Sequence, residues 1–168
     1  MFETFGPNEV TTETRDGIPN AGPVTIQDLQ QKYRQFNAKY FQNRLPQLTV
    51  RFADLPGETA GLTSYMAIKQ GDKKSIDAKT LTISVNDMFK SPNVHYGSKG
   101  GVDTILLHEM THVLMAIMGH VDEKHGQRFS SWLRRLAPAS GFSFDDLMGK
   151  QQPAESQEVY RIKTLAGI

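Results

Sequence analysis

The chain has 168 residues, with 19 Lys and Arg against 18 Asp and Glu, so its formal net charge is +1. This balance gives no electrostatic case for nucleic acid, and the absence of cysteine excludes disulfides, thiolate metal ligands and a cysteine nucleophile. No apolar run approaches the roughly 18 residues of a membrane span, and no secretory signal is recognisable. We therefore expect one intracellular domain with a hydrophobic core and no membrane partner.

The first part of the chain predicts a flexible arm followed by a helix. Residues 1–23 carry several Gly and Pro among polar residues, which is typical of a loose N-terminal arm. A helix is expected from Ile26 to about Asn43, because Thr25 is a good N-cap with Asp28 three residues later. Its helically spaced apolar residues form a stripe that favours the core over a binding surface: Ile26, Leu29, Tyr33, Phe36, Tyr40 and Phe41.

Three stretches alternate between apolar and polar residues and predict strands at 48–53, 60–69 and 80–86. The polar stretch 70–79 predicts a hairpin loop, whose Lys73, Lys74 and Lys79 either face solvent or contact nucleic acid or substrate. Because short connections cannot form parallel crossovers, we expect a small three-stranded antiparallel sheet. Residues 87–101 then form a turn-rich loop containing His95 and Tyr96, and Asp103 is a candidate cap for the next helix.

The sequence HEMTH, residues 108–112, lies in a strongly apolar helix that Gly119 is expected to end with a left-handed backbone. On a helix, His108 and His112 lie about 40° apart around the axis and about 6 Å apart along it, so both can reach one metal ion. Glu109 borders the same face, as a carboxylate that takes a proton from water would in a zinc hydrolase. The apolar flanks predict a buried helix that needs a metal partner for these residues; the alternative is a surface helix with solvated side chains.

A catalytic zinc site needs a third protein ligand, and the candidates downstream are His125, His120 and Glu123. Residues 126–136 predict a second helix, ending near Pro138, with one apolar face made by Phe129, Trp132, Leu133 and Leu136. A histidine at the start of this helix can be carried back over the first one. His125 is therefore favoured, and an exposed loop position is the simpler interpretation of His120.

The last part of the chain predicts a packed segment and then a tail. Within residues 139–149, Phe142, Phe144 and Leu147 have the spacing to pack back on the core, so the domain is expected to span residues 24–149. Residues 150–168 form a polar tail that fits a strand, a docking segment or disorder. The sequence carries no signal for an oligomeric state.

Together these segments resemble the SprT-like zinc metalloproteases, the family of the bacterial SprT proteins and of the DNA–protein-crosslink protease Spartan. The resemblance rests on HEMTH, a short loop and HGQRFSSWLRRL, and upstream on YFQNRLPQLTVRFADLPGETAGLTSY and TLTISVNDMF, so it covers about residues 25–137. It implies an α+β, zincin-like single domain with an N-terminal helix, a small sheet, the motif helix and a second helix. It also implies that His108, His112 and His125 bind Zn²⁺ and that Glu109 is the catalytic acid/base. The chain lacks the cysteines of the zinc ribbon that some members carry.

The expected function is zinc-dependent hydrolysis of peptide bonds within a protein substrate. The resemblance implies DNA-bound or crosslinked proteins as substrates, although the composition does not support DNA. The alternatives are a protease of the same fold with an unrelated protein substrate and no DNA role, and a non-catalytic zinc-binding interaction module. Tyr65, His95 and Tyr96 are candidate contacts to the substrate or transition state, each with an ordinary strand or loop role as its alternative.

Overall fold

The computed structural model of the protein describes residues 23–91, 94 and 101–149. In chain order, its elements are α1 (Ile26–Tyr40), β1 (Thr49–Ala53), β2 (Gly61–Gln70), β3 (Lys73–Asn86), a 3₁₀ turn (Asp87–Lys90), α2 (Val102–Ile117), α3 (Gln127–Ser140) and α4 (Phe144–Met148). The predicted arm up to residue 22, the predicted tail and the loop residues His95 and Tyr96 lie outside the described residues. Their proposed roles stay predictions.

Helix α1 begins as the sequence predicts. The Thr25 hydroxyl accepts the backbone N–H of Asp28 at 3.1 Å, and the Asp28 carboxylate accepts the N–H of Thr25 at 2.9 Å, so the two form a capping box. The helix ends at Tyr40, earlier than predicted. Gln42 and Asn43 have φ angles of 56° and 59°, and this left-handed backbone turns the chain out of the helix before the apolar stripe is complete.

The sheet is mixed, so the prediction of an all-antiparallel sheet was wrong. Its strand order is β1-β3-β2: β2 and β3 form an antiparallel hairpin, whereas β1 runs parallel to β3 with Val50 opposite Ile83 and Phe52 opposite Val85. The short connections join β1 to β2 and β2 to β3. The parallel pair is β1 and β3, and the whole of β2 lies between them in sequence and supplies the long return path that a parallel pair needs.

The hairpin is longer than predicted, because residues 73–79 belong to β3 and not to a loop. Gln70 pairs with Lys73, which leaves only Gly71 and Asp72 as the turn, and Gly71 has a φ of +61°. A glycine with positive φ at the first position of a two-residue turn is typical of tight hairpins. The polar residues are compatible with a strand because this end of the hairpin is largely exposed and extends beyond the core.

Helix α2 is the central element of the core. It contacts β2 and β3 of the sheet and also α1, α3 and α4, and every residue from Val102 to Ala116 except Asp103 is buried. The buried helix predicted from the apolar flanks of the motif is therefore confirmed. Its apolar character reflects burial in protein; in the part of the chain that the structure describes, no helix combines the length and apolarity that crossing a bilayer requires.

Both ends of α2 are defined by specific hydrogen bonds. At the start, the hydroxyl of Thr104 accepts the N–H of Gly101 at 2.8 Å, while Asp103, the predicted cap, forms an ion pair with Lys32 at 2.8 Å. At the end, Gly119 has a φ of +90°, as predicted. The N–H groups of Gly119 and of the next residue close the last turn as in a Schellman motif.

Helices α3 and α4 cover α2 on the side that carries the motif. Helix α3 continues past Pro138, where an end was predicted, to Ser140, and Gly141 with a φ of 83° accepts the reversal that follows. Leu147 of α4 is fully buried and Phe142 and Phe144 are half-buried against the core, which confirms the predicted packing of this segment.

Candidate metal centre

The structure brings together the three histidines favoured by the sequence. His108 and His112 project from one face of α2, and His125 lies just before α3. The Nε2 atoms are 3.1 Å apart for His108 and His125, 3.3 Å for His108 and His112, and 3.3 Å for His112 and His125. His108 and His112 are buried, and His125 is half-buried. Among the described residues, neither His120 nor Glu123 belongs to this group.

The arrangement of ring nitrogens favours a cation at the centre of the three rings. The Nδ1 atom of His108 lies 2.6 Å from the carbonyl oxygen of Leu147, which can only accept a hydrogen bond, so the neutral ring carries its proton on Nδ1. Its Nε2 therefore offers a lone pair to the other two rings. His112 and His125 can then supply at most two Nε2–H donors, which is too few for the three close contacts between Nε2 atoms. A metal ion shared by the three nitrogens satisfies all of them, so this group can hold one.

Phe129 of α3 forms the apolar wall of this centre. Its ring is stacked on the ring of His112, with centroids 4.2 Å apart, and lies 5.0 Å from the ring of His108 and 4.9 Å from that of His125. Phe129 is fully buried. Its contacts restrict the orientation of all three imidazoles and keep water away from one side of the group.

Glu109 is held by strand β2. Its side chain is buried, and the hydroxyl of Thr63 donates to its Oε1 atom at 2.7 Å; the same hydroxyl lies 3.1 Å from the Glu109 carbonyl oxygen. Gly61 lies two residues earlier on the same face of β2. A Cβ atom at that position would come within 2.6 Å of Ile105 Cγ2 and 3.0 Å of Glu109 Oε2, so the strand approaches the helix this closely only because residue 61 is glycine.

Glu123, one of the rival ligands in the sequence, caps α3. Its Oε2 accepts the backbone N–H of Arg128 at 2.7 Å, and the Arg128 guanidinium lies 3.3 Å from its Oε1. Burial raises the pKa of the Glu123 carboxyl, but hydrogen bonds from the N–H groups of Arg128 and Phe129 and the guanidinium charge outweigh this, so the pKa is lowered. The carboxylate is thus committed to the start of the helix that follows His125.

Tyr65, a candidate substrate contact, is buried on β2. Its hydroxyl donates to the carbonyl oxygen of Val121, in the loop between α2 and α3, at 3.3 Å. In this position it ties the loop to the sheet. A role as a donor to the substrate stays a prediction.

Three contacts of the centre were missed by reasoning from sequence: those of Gly61, Thr63 and the Leu147 carbonyl. A glycine inside a strand is a signal of close backbone approach, so the sequence did contain a signal for the contact of Gly61. Strand alternation placed Thr63 on the same face as Tyr65 but did not reveal which helix covers that face. The Leu147 contact is made by the backbone, and no residue type signals it.

Comparison with known proteins agrees with this site. The profile described as the SprT-like family matches residues 29–147, which include all three histidines and the carboxylate. A search of curated proteins found no significant match to the chain. Because the family profile covers well over half of the sequence, the chain belongs to the SprT-like family.

Proposed function

We propose that this protein is a zinc-dependent endopeptidase in which His108, His112 and His125 hold the ion and Glu109 transfers the proton. The observation that carries the proposal is the convergence of three Nε2 atoms, 3.1 to 3.3 Å apart, on the helix face beside a buried carboxylate. Membership of the SprT-like family supports a metalloprotease-like domain.

The three histidines fit zinc in distance and in chemistry. For tetrahedral zinc with Zn–N bonds of about 2.0–2.1 Å, two ligand nitrogens are expected about 3.3–3.4 Å apart, close to the observed separations. Three neutral imidazoles leave the charge of the ion intact, and such sets of three protein ligands are typical of catalytic zinc. When bound, zinc supplies Lewis acidity, which makes water nucleophilic near neutral pH and polarises a peptide carbonyl.

The chain's own groups orient the reaction and move the proton. The Leu147 carbonyl fixes the tautomer of His108, so that Nε2 is the ligand atom. The Thr63 hydroxyl holds Oε1 of Glu109, and a carboxylate accepts more than one hydrogen bond. Glu109 takes a proton from the attacking water on its carboxylate and delivers it to the amine that leaves.

Strand β2 is the best support for an extended peptide substrate. Among the described strands, β2 is an edge strand of the sheet and pairs with β3. Two of its residues, Gly61 and Thr63, lie directly against Glu109. A peptide that added itself to this edge by backbone hydrogen bonds would pass beside the proposed proton acceptor.

The test of this proposal is the Glu109→Gln variant, with Glu58→Gln, which alters an exposed carboxylate, as its control. Glu109→Gln is expected to bind one zinc per chain and to cleave casein at least about 10²-fold more slowly, because it cannot accept a proton. Full activity in this variant, or a wild-type protein that binds no zinc, would refute the proposal. Stoichiometric zinc without cleavage of any protein substrate by wild type would favour a non-catalytic interaction module.

A DNA-associated substrate is a second candidate, and one feature favours it. A cavity of about 740 Å³ runs along α3 beside the C-terminal ends of α1 and α2; its lining includes Lys39, Arg44, Arg128 and Arg135, and none of its lining residues is acidic. The guanidinium carbons of Arg44 and Arg135 lie 5.2 and 4.6 Å from the centre of the Trp132 ring. We propose that phosphodiester groups bind here.

Single-stranded DNA tests this second candidate. The protein should be retained by DNA in a manner that weakens steeply with salt, and DNA should stimulate casein cleavage. The double variant Arg44→Glu/Arg135→Glu is expected to lose both effects and to keep basal cleavage. Cleavage that DNA does not affect, together with no retention at low salt, would favour a substrate with no DNA role.

A further inference from the structure

We infer that Glu123 is a positioning residue that sets His125 in place as the third metal ligand. The inference rests on the proposed function, because it requires that His125 bind a metal. His108 and His112 lie within α2 and are positioned by a buried helix, whereas His125 lies in the connection between α2 and α3. Its position therefore depends on what holds that connection.

The backbone around His125 forms a tight reversal. Lys124 has a φ of +52°, which is uncommon for a residue other than glycine, and the N–H of Gly126 donates to the carbonyl of Glu123 at 2.9 Å. This bond encloses Lys124 and His125 in a single turn. The turn directs His125 back over α2, where its Nε2 meets those of the other two histidines.

The Glu123 side chain fastens this turn to α3. The N-cap position of α3 is Gly126, which has no side chain with which to cap the helix. Glu123 supplies the missing cap from three residues upstream, since its Oε2 accepts the N–H of Arg128 at 2.7 Å. A carboxylate at a helix N-terminus is also favoured by the helix dipole.

Gly126 is the complement of this contact. A Cβ atom on residue 126 would overlap Oε2 of Glu123 and lie 2.8 Å from its Cδ and 3.0 Å from its carbonyl oxygen. The carboxylate can fold over the turn only because residue 126 is glycine. Glu123 and Gly126 thus form one clamp, with His125 between the two residues that make it.

Loss of the clamp should act on the metal. Without the Glu123 carboxylate, the first turn of α3 loses a cap and the His125 backbone gains alternative conformations, so metal binding must order them again. Removal of groups that orient metal ligands commonly lowers metal affinity about 10- to 100-fold. We expect a loss of this size in Glu123→Ala and a smaller loss in Glu123→Gln, whose amide oxygen can still accept the Arg128 N–H.

The matched control is Asp122→Ala. Asp122 is the adjacent acidic residue, and its carboxylate pairs with Lys74 at 2.7 Å on the exposed side of the same loop. This variant removes the same charge from the same loop but leaves the clamp intact. Zinc affinity, measured by competition with a chromogenic chelator, should stay within about twofold of the wild type.

Two further variants separate positioning from a general loss of stability. Gly126→Ala should weaken zinc binding as Glu123→Ala does, and the double variant should be no weaker than Glu123→Ala, because both changes release the same clamp. With cobalt in place of zinc, the visible absorption of Glu123→Ala should change, since the His125 nitrogen is no longer held in one geometry at the ion, while that of Asp122→Ala should not. Circular dichroism confirms that each variant is folded at the temperature used.

The possible outcomes separate failure of the proposed function from failure of the positioning role of Glu123. A wild-type protein that binds no zinc would overturn the proposed function. Tight stoichiometric binding by the wild type, equalled by Glu123→Ala with an unchanged cobalt spectrum, would overturn only the role of Glu123. If Glu123→Ala fails to fold, a wild-type affinity for zinc in Gly126→Ala would also overturn the role of Glu123.

Discussion

The contact between Thr63 and Glu109 gives the sharpest prediction about catalysis. Thr63→Val removes the hydroxyl that donates to Glu109 Oε1 at 2.7 Å and keeps the shape of the side chain almost unchanged. We expect the variant to bind zinc as the wild type does but to hydrolyse protein more slowly. The physical reason is that the Glu109 carboxylate is still present in this variant but has lost the Thr63 hydroxyl that orients it.

The magnitude follows from the burial of both partners. Thr63 is 0% exposed and Glu109 1% exposed, so water cannot readily replace the lost donor. A hydrogen bond to a charged group contributes about 1.5–3 kcal/mol, and for a chain of this size each 1 kcal/mol shifts Tm by about 2–4 °C. We therefore expect a Tm lower by about 3–12 °C. A positioned proton acceptor contributes about 10²–10⁴ to the rate, and loss of its orientation alone should lower kcat about tenfold.

The assay compares kcat for casein cleavage, zinc content and Tm in Thr63→Val, Thr63→Ser and Thr111→Val. Thr63→Ser keeps the hydroxyl and should keep kcat within about twofold. Thr111 is equally buried in α2, but its hydroxyl donates only to the Leu107 carbonyl of the same helix, so its loss should leave kcat unchanged. Wild-type kcat in Thr63→Val, or an equal loss in Thr111→Val, would refute the orienting role of Thr63.

Three further predictions concern stability. Gly61→Ala would place a methyl group 2.6 Å from Ile105 Cγ2, so it should lower the free energy of unfolding by about 1–3 kcal/mol in urea titrations and reduce cleavage; an unchanged urea midpoint would contradict this. Burial raises the pKa of Tyr33 above its ordinary value of 10.0, so its contribution to stability is complete below about pH 10 and is lost as the pH rises further. In urea titrations at successive pH values, the free energy of unfolding of Tyr33→Phe should therefore fall less steeply above about pH 10 than that of the wild type. An equally steep fall in both proteins would contradict this prediction. Zinc at about 100 times its Kd should stabilise the metal-free protein by about 2.7 kcal/mol, seen as a higher Tm that a chelator reverses; a Tm insensitive to both would argue against a site in the folded state.

The features that the sequence predicted are local in origin. The capping box of Thr25 and Asp28 depends on residues three apart, and the approach of His108 and His112 follows from one turn of helix. The burial of α2 follows from apolar residues on most of its circumference. In each case the signal and the contact lie within one element.

The features that the sequence did not predict depend on contacts between distant elements. Parallel pairing of β1 with β3 is decided by which strand edges meet, and a period of two residues gives no information about strand order. Lys73 and the polar residues after it resemble a loop because the hairpin extends beyond the core, where strands need no apolar face. The support of Glu109 by Thr63 joins residues 46 positions apart, so neither residue carries a local signal for it.

Zinc titration of the purified wild-type protein beside His108→Ala, His112→Ala, His125→Ala and His120→Ala tests the central claim most directly. We predict one tightly bound zinc per chain in the wild type and in His120→Ala, and binding weaker by at least about 10²-fold in each of the other three, since each loses one of the converging nitrogens. Absence of stoichiometric zinc in the wild type, or zinc retained by His125→Ala and lost by His120→Ala, would contradict the account.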